Sequence, residues 1–378
     1  MDISETAKIK AIEVLEHCLT KKGLYASGTK EGYRSLWSRD SNIALLGGGL
    51  QGEKFKQVFS DTLETLTKYQ SKKGQIPNAI GVYDIGRKSY ITYNTIDSTL
   101  WYIIGEYVFA KAYNKKLLLK KHKTAIEKAF LWLQYQDFTE DGLLSQLPTT
   151  DWQDAFPHKY GFTILTQALY YAVLRFMGKN QEALKLKKTV NGPGRPHLCL
   201  FDKKLGYYLP WAWKDHAGDR ETEYWFDSLG NLLAIVSGLA DFDKSRSILN
   251  YIETKKINRP YPVKAIFPPL FPESKLWKSY FSKCDARTPY HYLNAGIWPF
   301  IGGFYVAALV KAKQFKKAKT ELKNLALANK QGKKMVWEFN EWLDGKKGTP
   351  EGSIYQAWSA GAYLFAFESF GRKYVPFF

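Results

Sequence analysis

Ser35-Leu-Trp-Ser-Arg-Asp-Ser-Asn-Ile-Ala-Leu-Leu-Gly, residues 35–47, joins an aromatic and charged opening to an apolar run. Trp37, Arg39 and Asp40 stand at its start, and the residues after them read as an apolar helix. The pattern returns along the chain. Tyr93-Asn-Thr-Ile-Asp-Ser-Thr-Leu-Trp opens a second helix of this kind, Tyr160-Gly-Phe a third, and Tyr290-His-Tyr-Leu-Asn-Ala-Gly-Ile-Trp-Pro a fourth. The connections into the helices at 40, 97, 161 and 296 carry Trp, Asp, Asn and Gly, whereas several others are short and lysine-rich. Such alternation suits paired helices arranged in a ring, with a functional face and a plain face.

Helical periodicity predicts about twelve helices, near 4–20, 40–50, 54–70, 97–113, 122–136, 161–178, 180–189, 224–240, 242–253, 296–312, 314–328 and 354–370. Breakers separate them at 74–77, 142–148, 192–196, 260–272 and 345–352. The segment with strand character is 198–213, where Phe201-Asp-Lys-Lys-Leu-Gly-Tyr-Tyr-Leu reads as a hairpin on a glycine turn. The expected fold class is therefore all-α with one small β-hairpin insertion. No linker or composition shift divides residues 1–378, so one domain is expected. An open solenoid would need a fixed repeat, which the sequence lacks.

The 378 residues are 45% hydrophobic and 16% aromatic, ample for a large core. Twelve Trp and 25 Tyr exceed what packing usually needs, and several cluster with acids and glycines. Sugar rings stack on such faces, so the excess points to carbohydrate. The formal charge of +19 comes from short lysine runs such as Lys72-Lys73, Lys115-Lys116, Lys120-Lys121, Lys187-Lys188 and Lys333-Lys334. These suit a solvated surface better than nucleic-acid binding, for which no zinc-finger, RNA-recognition or helix-turn-helix signature is present. Cys18, Cys199 and Cys284 are too scattered for a disulfide framework or zinc site, and their odd number fits a reducing, cytoplasmic location. The amino terminus moves straight into an amphipathic pattern and no apolar stretch reaches about 18 residues, so neither export nor membrane spanning is expected.

Two acid-bearing motifs stand out: Thr-Thr-Asp-Trp-Gln-Asp-Ala-Phe at 149–156 and Glu-Phe-Asn-Glu-Trp-Leu-Asp-Gly at 338–345. Cleavage of a glycosidic bond needs two carboxyl groups on opposite sides of a sugar. A general acid keeps its proton near neutral pH when pressed against apolar groups, which makes Asp154, beside Trp152, the better acid. Asp151 reads either as a ligand or as a turn cap. Glu341, bracketed by Asn340 and Trp342, is a better base than Glu338, and Asp344 reads as a turn stabiliser at Gly345. Asp40 reads either as a helix cap paired with Arg39 or as an acceptor for two sugar hydroxyls above Trp37. Tyr93, Asn94, Asp97 and Trp101 form a second polar and aromatic set, in which Asn94 or Thr95 could instead cap the helix. Trp152, Gln167, Asn294, Trp298, Trp342, Gln356 and Trp358 complete the candidate sugar contacts. Six dispersed histidines, and the lack of G-x-S-x-G or a P-loop, argue against zinc hydrolase, serine hydrolase and nucleotide chemistry.

Trp37-Ser-Arg-Asp, the 93–101 motif and Trp152-Gln-Asp-Ala resemble the amylo-alpha-1,6-glucosidase region of glycogen debranching enzymes. Asp154 through Tyr160-Gly to Gln167-Ala-Leu-Tyr-Tyr, Phe226-Asp-Ser-Leu-Gly-Asn-Leu, Asn294-Ala-Gly-Ile-Trp-Pro, and Glu341-Trp-Leu-Asp-Gly with Tyr355-Gln-Ala-Trp-Ser are similar to the neutral/alkaline invertases. The invertase pattern carries arginines after the acid, where this chain has Ala155 and Phe156. The resemblance implies an (α/α)6 toroid of the six-hairpin glycosidase type and hydrolysis with inversion. It implies Asp154 as general acid, Glu341 as general base, and Asp40 and Asp97 as holders of the terminal sugar. The expected partner is an oligosaccharide or polysaccharide, with no metal or organic cofactor, and the two carboxyl groups are expected roughly 6.5–9.5 Å apart to admit a water. A histidine-based sugar epimerase and a non-catalytic sugar-binding protein are the rival readings.

Overall fold

Thirteen α-helices form among the residues that the computed structural model describes, 2–29, 33–81, 90–192, 198–216 and 219–378. They are α1 (Ile3–His17), α2 (Ser38–Gly48), α3 (Lys56–Lys68), α4 (Asp97–Ala112), α5 (Lys116–Lys121), α6 (Lys123–Gln134), α7 (Ile164–Phe176), α8 (Asn180–Asn191), α9 (Ser228–Ser237), α10 (Phe242–Thr254), α11 (Pro299–Lys311), α12 (Phe315–Lys330) and α13 (Ala357–Arg372). Each expected helix is present. The addition is α5, whose six residues are too few for periodicity to declare them. The expected break at 192–196 lies, from 193 on, outside the described residues.

Sequence sorts these helices into two layers. All eleven residues of α2 are buried, and α11 is buried from Pro299 to Val310. A helix without a polar face must be enclosed by other elements. α2, α4, α7, α9, α11 and α13 form an inner ring in which each packs on the next and α13 closes on α2. The helices between them in sequence are one-sided: α10 buries Ser245, Ile248, Leu249 and Ile252, one helical stripe, and turns the rest to solvent. Inner and outer helices alternate six times around the ring, which is the (α/α)6 toroid.

The seam between α2 and α13 is closed by glycine. A Cβ on Gly47 would meet the Gly361 carbonyl oxygen at 2.0 Å, and one on Gly361 would meet the Ala44 Cα at 2.3 Å. The two backbones touch there with no room for a side chain.

Short strands lead into four of the inner helices: Leu36–Trp37 before α2, Phe162–Thr163 before α7, Phe226–Asp227 before α9 and Trp342–Leu343 ahead of α13. They fix the chain at one mouth of the ring. The expected hairpin pairs Phe201–Asp202 with Tyr207–Tyr208 around Gly206, which has a φ of 78°. The β structure extends further than expected, because Trp211–His216 also pairs with Asp219–Thr222 and with Phe162–Thr163. Among the described residues no helix is long and apolar enough to cross a membrane.

Candidate active site

At the mouth where the short strands meet, a cavity of about 170 Å³ is lined by Tyr33, Trp37, Arg39, Asp40, Trp152, Asp154, Tyr292, Trp298, Glu341, Gln356 and Trp358. Three carboxyl groups, one guanidinium and four indoles thus converge from segments far apart in sequence. A wider, open cleft of about 930 Å³ lies between α10 and the turn into α12, but its lining offers one carboxylate, Asp243, among Arg246, Lys313, Lys316 and Lys317. It has no facing acids.

Asp40 and Arg39 reach the cavity because α2 begins at Ser38, earlier than expected. Asp40 is therefore in the first turn and caps nothing; Trp37 occupies the cap position. Arg39 Nη1 donates to Asp97 Oδ2 at 2.9 Å, and its Nε lies 4.0 Å from Asp40. Burial opposes the Arg39 charge, but the carboxylates of Asp97, Asp40 and Asp154 outweigh it and hold the guanidinium ionised.

Asp154 retains some surface open to the cavity while protein surrounds it on nearly every other side. Burial raises it to about 6, against the pull of Arg39. Glu341 accepts from the Ser353 backbone N–H at 3.0 Å and from the Tyr33 hydroxyl, yet burial pushes it up to about 7. Asp40 also rises to about 7, because burial outweighs Arg39. Among the described residues one cation faces several buried acids, so protons are retained among them near neutrality.

The aromatic lining is held rigidly. Trp358 stacks on Phe300 with ring centroids 4.1 Å apart, and Trp152 stands edge-on to Trp298 at 5.4 Å. Trp298 Nε1 donates to the Tyr292 carbonyl at 3.0 Å. The indole N–H groups of Trp152 and Trp358 and both amide atoms of Gln356 are buried without a protein partner. Buried polar groups at a cavity edge call for hydrogen bonds from whatever fills it. Hydroxyl groups supply both donors and acceptors.

Of the residues expected to touch a ligand, Trp37, Arg39, Asp40, Trp152, Asp154, Trp298, Glu341, Gln356 and Trp358 meet in this cavity. The others lie behind it or away from it. Asp97 is buried and anchors Arg39 instead of facing the opening. Asp151 is buried against Lys159 Nζ at 3.0 Å and accepts from Gln146 and the Gln153 N–H. Gln167 bonds the backbone of Leu144, and Asn294 bonds that of Leu270 and Ala286, so both brace loops. Trp101 packs on Phe304 in the core, and Trp342 packs beside His291 and Tyr292. Tyr93 donates to the Tyr69 carbonyl, and Asn94 is exposed. Neither Asn94 nor Thr95 caps α4, which starts at Asp97. Glu338, read from sequence as the weaker candidate base, binds the backbone N–H groups of Lys333, Lys334 and Met335, and Asp344 binds those of Lys346 and Lys347, the turn-stabilising role read from sequence.

Sequence reading missed Tyr33 and Tyr292. Tyr33 precedes the 35–47 motif by two positions and donates to Glu341. Tyr292 belongs to the motif before α11, where Tyr290, Tyr292 and Ala295 take left-handed φ of 72°, 46° and 66°. That kink gave no local signal. Lys159 was also missed: fully buried, it bridges Asp151, Gln153 and, at 3.2 Å, Asp227, tying the loop that carries Asp154 to the start of α9.

The alkaline and neutral invertase family matches residues 215–370, and the amylo-alpha-1,6-glucosidase family residues 20–191. Alkaline/neutral invertase E, chloroplastic, of Arabidopsis thaliana is 31% identical over 149 residues, 38% of this chain and 23% of the relative. Cytosolic invertase 1 of Oryza sativa subsp. japonica is 32% identical over 148 residues, 38% of this chain and 25% of the relative. The matched region is about a quarter of the length of these curated relatives. A GH63 mannosylglycerate hydrolase from Thermus thermophilus, solved with Tris and D-glycerate, superposes with a TM-score of 0.70 at 13% identity, covering 96% of this chain and 100% of that one. A rhamnosidase from Klebsiella oxytoca with rhamnose bound gives 0.64 at 14% identity over 97% and 64%. These structures share the toroid fold.

Proposed function

We propose that this chain is an inverting glycoside hydrolase acting on a terminal α-glucosidic linkage of an oligosaccharide or glucan. The observation that carries the proposal is the meeting of Asp154 and Glu341 in one tryptophan-walled cavity. At about 170 Å³ the space is well below the ~300 Å³ at which sites for drug-sized ligands begin, so it suits one sugar ring. In the reaction Asp154 gives its proton to the leaving oxygen as the bond from that oxygen to the anomeric carbon breaks. Glu341 takes a proton from a water whose oxygen bonds that carbon from the opposite face. Arg39 and Asp40 hold ring hydroxyls, and Trp37, Trp152, Trp298 and Trp358 enclose the ring. A cytoplasmic location belongs to the same proposal, on the three cysteines, none of which forms a disulfide.

Sucrose is a second candidate substrate, favoured by the similarity to the invertases. An epimerase reading has less support, because no histidine is among the residues lining the cavity.

Proton affinities alone favour the reverse assignment of acid and base, since Glu341 at about 7 stands above Asp154 at about 6. Burial raises both groups from ordinary values that already put Glu above Asp, and Arg39 pulls Asp154 back down. A substrate with a self-departing leaving group separates the roles. With α-glucosyl fluoride, Asp154→Asn should retain most activity while Glu341→Gln loses on the order of 10²–10⁴-fold; with a glycoside both should be lost. Proton NMR of the first sugar released should show the inverted anomer, and retention would reject the scheme.

A further inference from the structure

Cleavage of a glycosidic bond requires a place for the sugar that stays and another for the group that leaves. A second cavity, of about 210 Å³, has Pro157, His158, Tyr160, Trp211, Glu223 and Lys278 in its lining. It begins three residues beyond Asp154. Three residues of extended chain span at most about 11 Å, so the acid's backbone lies within that distance of the second cavity's lining.

The walls of this second cavity differ in character. Trp211 and Tyr160 form an aromatic side, with ring centroids 4.4 Å apart and an interplanar angle of 31°. The Tyr160 hydroxyl donates to Glu221 at 2.6 Å, which fixes that ring. Trp211 is 6% exposed, and its indole N–H has no protein partner. His158, Glu223 and Lys278 add charged and polar groups to the lining, which offer donors and acceptors together. Aromatic rings together with mixed polar groups match a sugar ring, whose C–H side is apolar and whose rim bears hydroxyls.

We infer that the Trp211–Tyr160 cavity binds the leaving sugar, sized for a single ring, so that the substrate class is a disaccharide cleaved between this cavity and the one holding Glu341. The inference rests on the assignment of Asp154 as acid, because that assignment puts the scissile oxygen beside the group from whose loop the second cavity's lining continues.

The test compares sucrose, maltose, isomaltose and trehalose with α-glucosyl fluoride, whose leaving group occupies no second site. Trp211→Ala should lower kcat/KM about tenfold on the disaccharide that is cleaved, with fluoride hydrolysis unchanged. Trp211→Phe should recover most of the loss, and Glu223→Gln, at a half-buried position less able to disturb folding, should lower kcat/KM in the same selective way. Equal losses on fluoride and disaccharide, or no loss on either, would overturn the inference. So would turnover of the fluoride with none of the four disaccharides cleaved. Failure of the parent reading has a different signature: Asp154→Asn would then hydrolyse disaccharide at the wild-type rate.

Discussion

Asp40, Asp154 and Glu341 share a cavity in which Arg39 is the one guanidinium among the described residues, and burial against that imbalance sets the titration behaviour of the site. The proposed route needs Asp154 protonated and Glu341 ionised. With Asp154 at about 6 and Glu341 at about 7, this form is most populated between the two values, so kcat/KM should peak there and fall on either side. A profile flat from about pH 5 to about 8 would exclude these two groups as the acid and base. The same burial acts on stability. Glu341 moves from an ordinary 4.5 to about 7 on folding, so stability present at low pH is lost as the pH rises through the higher value. Glu341→Gln removes an anion that the fold disfavours. Its Tm should exceed that of the native protein above about pH 7 and equal it near pH 4, as calorimetry at both values would show. Asp154 and Glu341 were legible in sequence because acids beside tryptophan at helix edges are unusual. Asp97, Asp151, Gln167 and Asn294 looked alike in sequence but turn inward, since a polar residue at a helix mouth serves a loop or a ligand equally well.

At the scale of elements, the ring depends on how closely its inner helices approach. Gly47 and Gly361 put the α2 and α13 backbones in contact. Gly361→Val should force them apart and destabilise the protein by about 1–3 kcal/mol, the usual cost of overpacking, readable as a lower urea midpoint with an unchanged slope. A variant as stable as the native protein would show that the seam tolerates side chains. Most helix boundaries were readable within a few residues, because apolar and one-sided segments alternate so regularly. The start of α2 was misjudged by two positions: Ser38 and Arg39 are polar, yet the strand Leu36–Trp37 delivers the chain directly into the helix. The short strands pairing across the mouth were illegible, since each is two residues long and its partner is distant.

Over the whole molecule, the +19 charge sits on the outer layer, in exposed pairs such as Lys72 with Lys73 and Lys120 with Lys121. Like charges spread over one surface repel, and salt screens them over about 10 Å at 0.1 M. Raising sodium chloride from near zero to about 0.15 M should therefore raise Tm. We expect residues 1–378 to unfold as one unit, because the first and last inner helices complete each other's burial across the seam. Two resolved calorimetric transitions would argue for separable domains. The sequence by itself determined the two-layer helical ring and the pair of acids. Local periodicity reports which faces must be buried, and residue chemistry reports which groups can exchange protons. Only the tertiary structure decided which polar side chains face the cavity, that Tyr33 and Tyr292 join them, and that Lys159 braces the acid's loop. Those outcomes depend on backbone direction and on partners remote in sequence, and no local pattern encodes either.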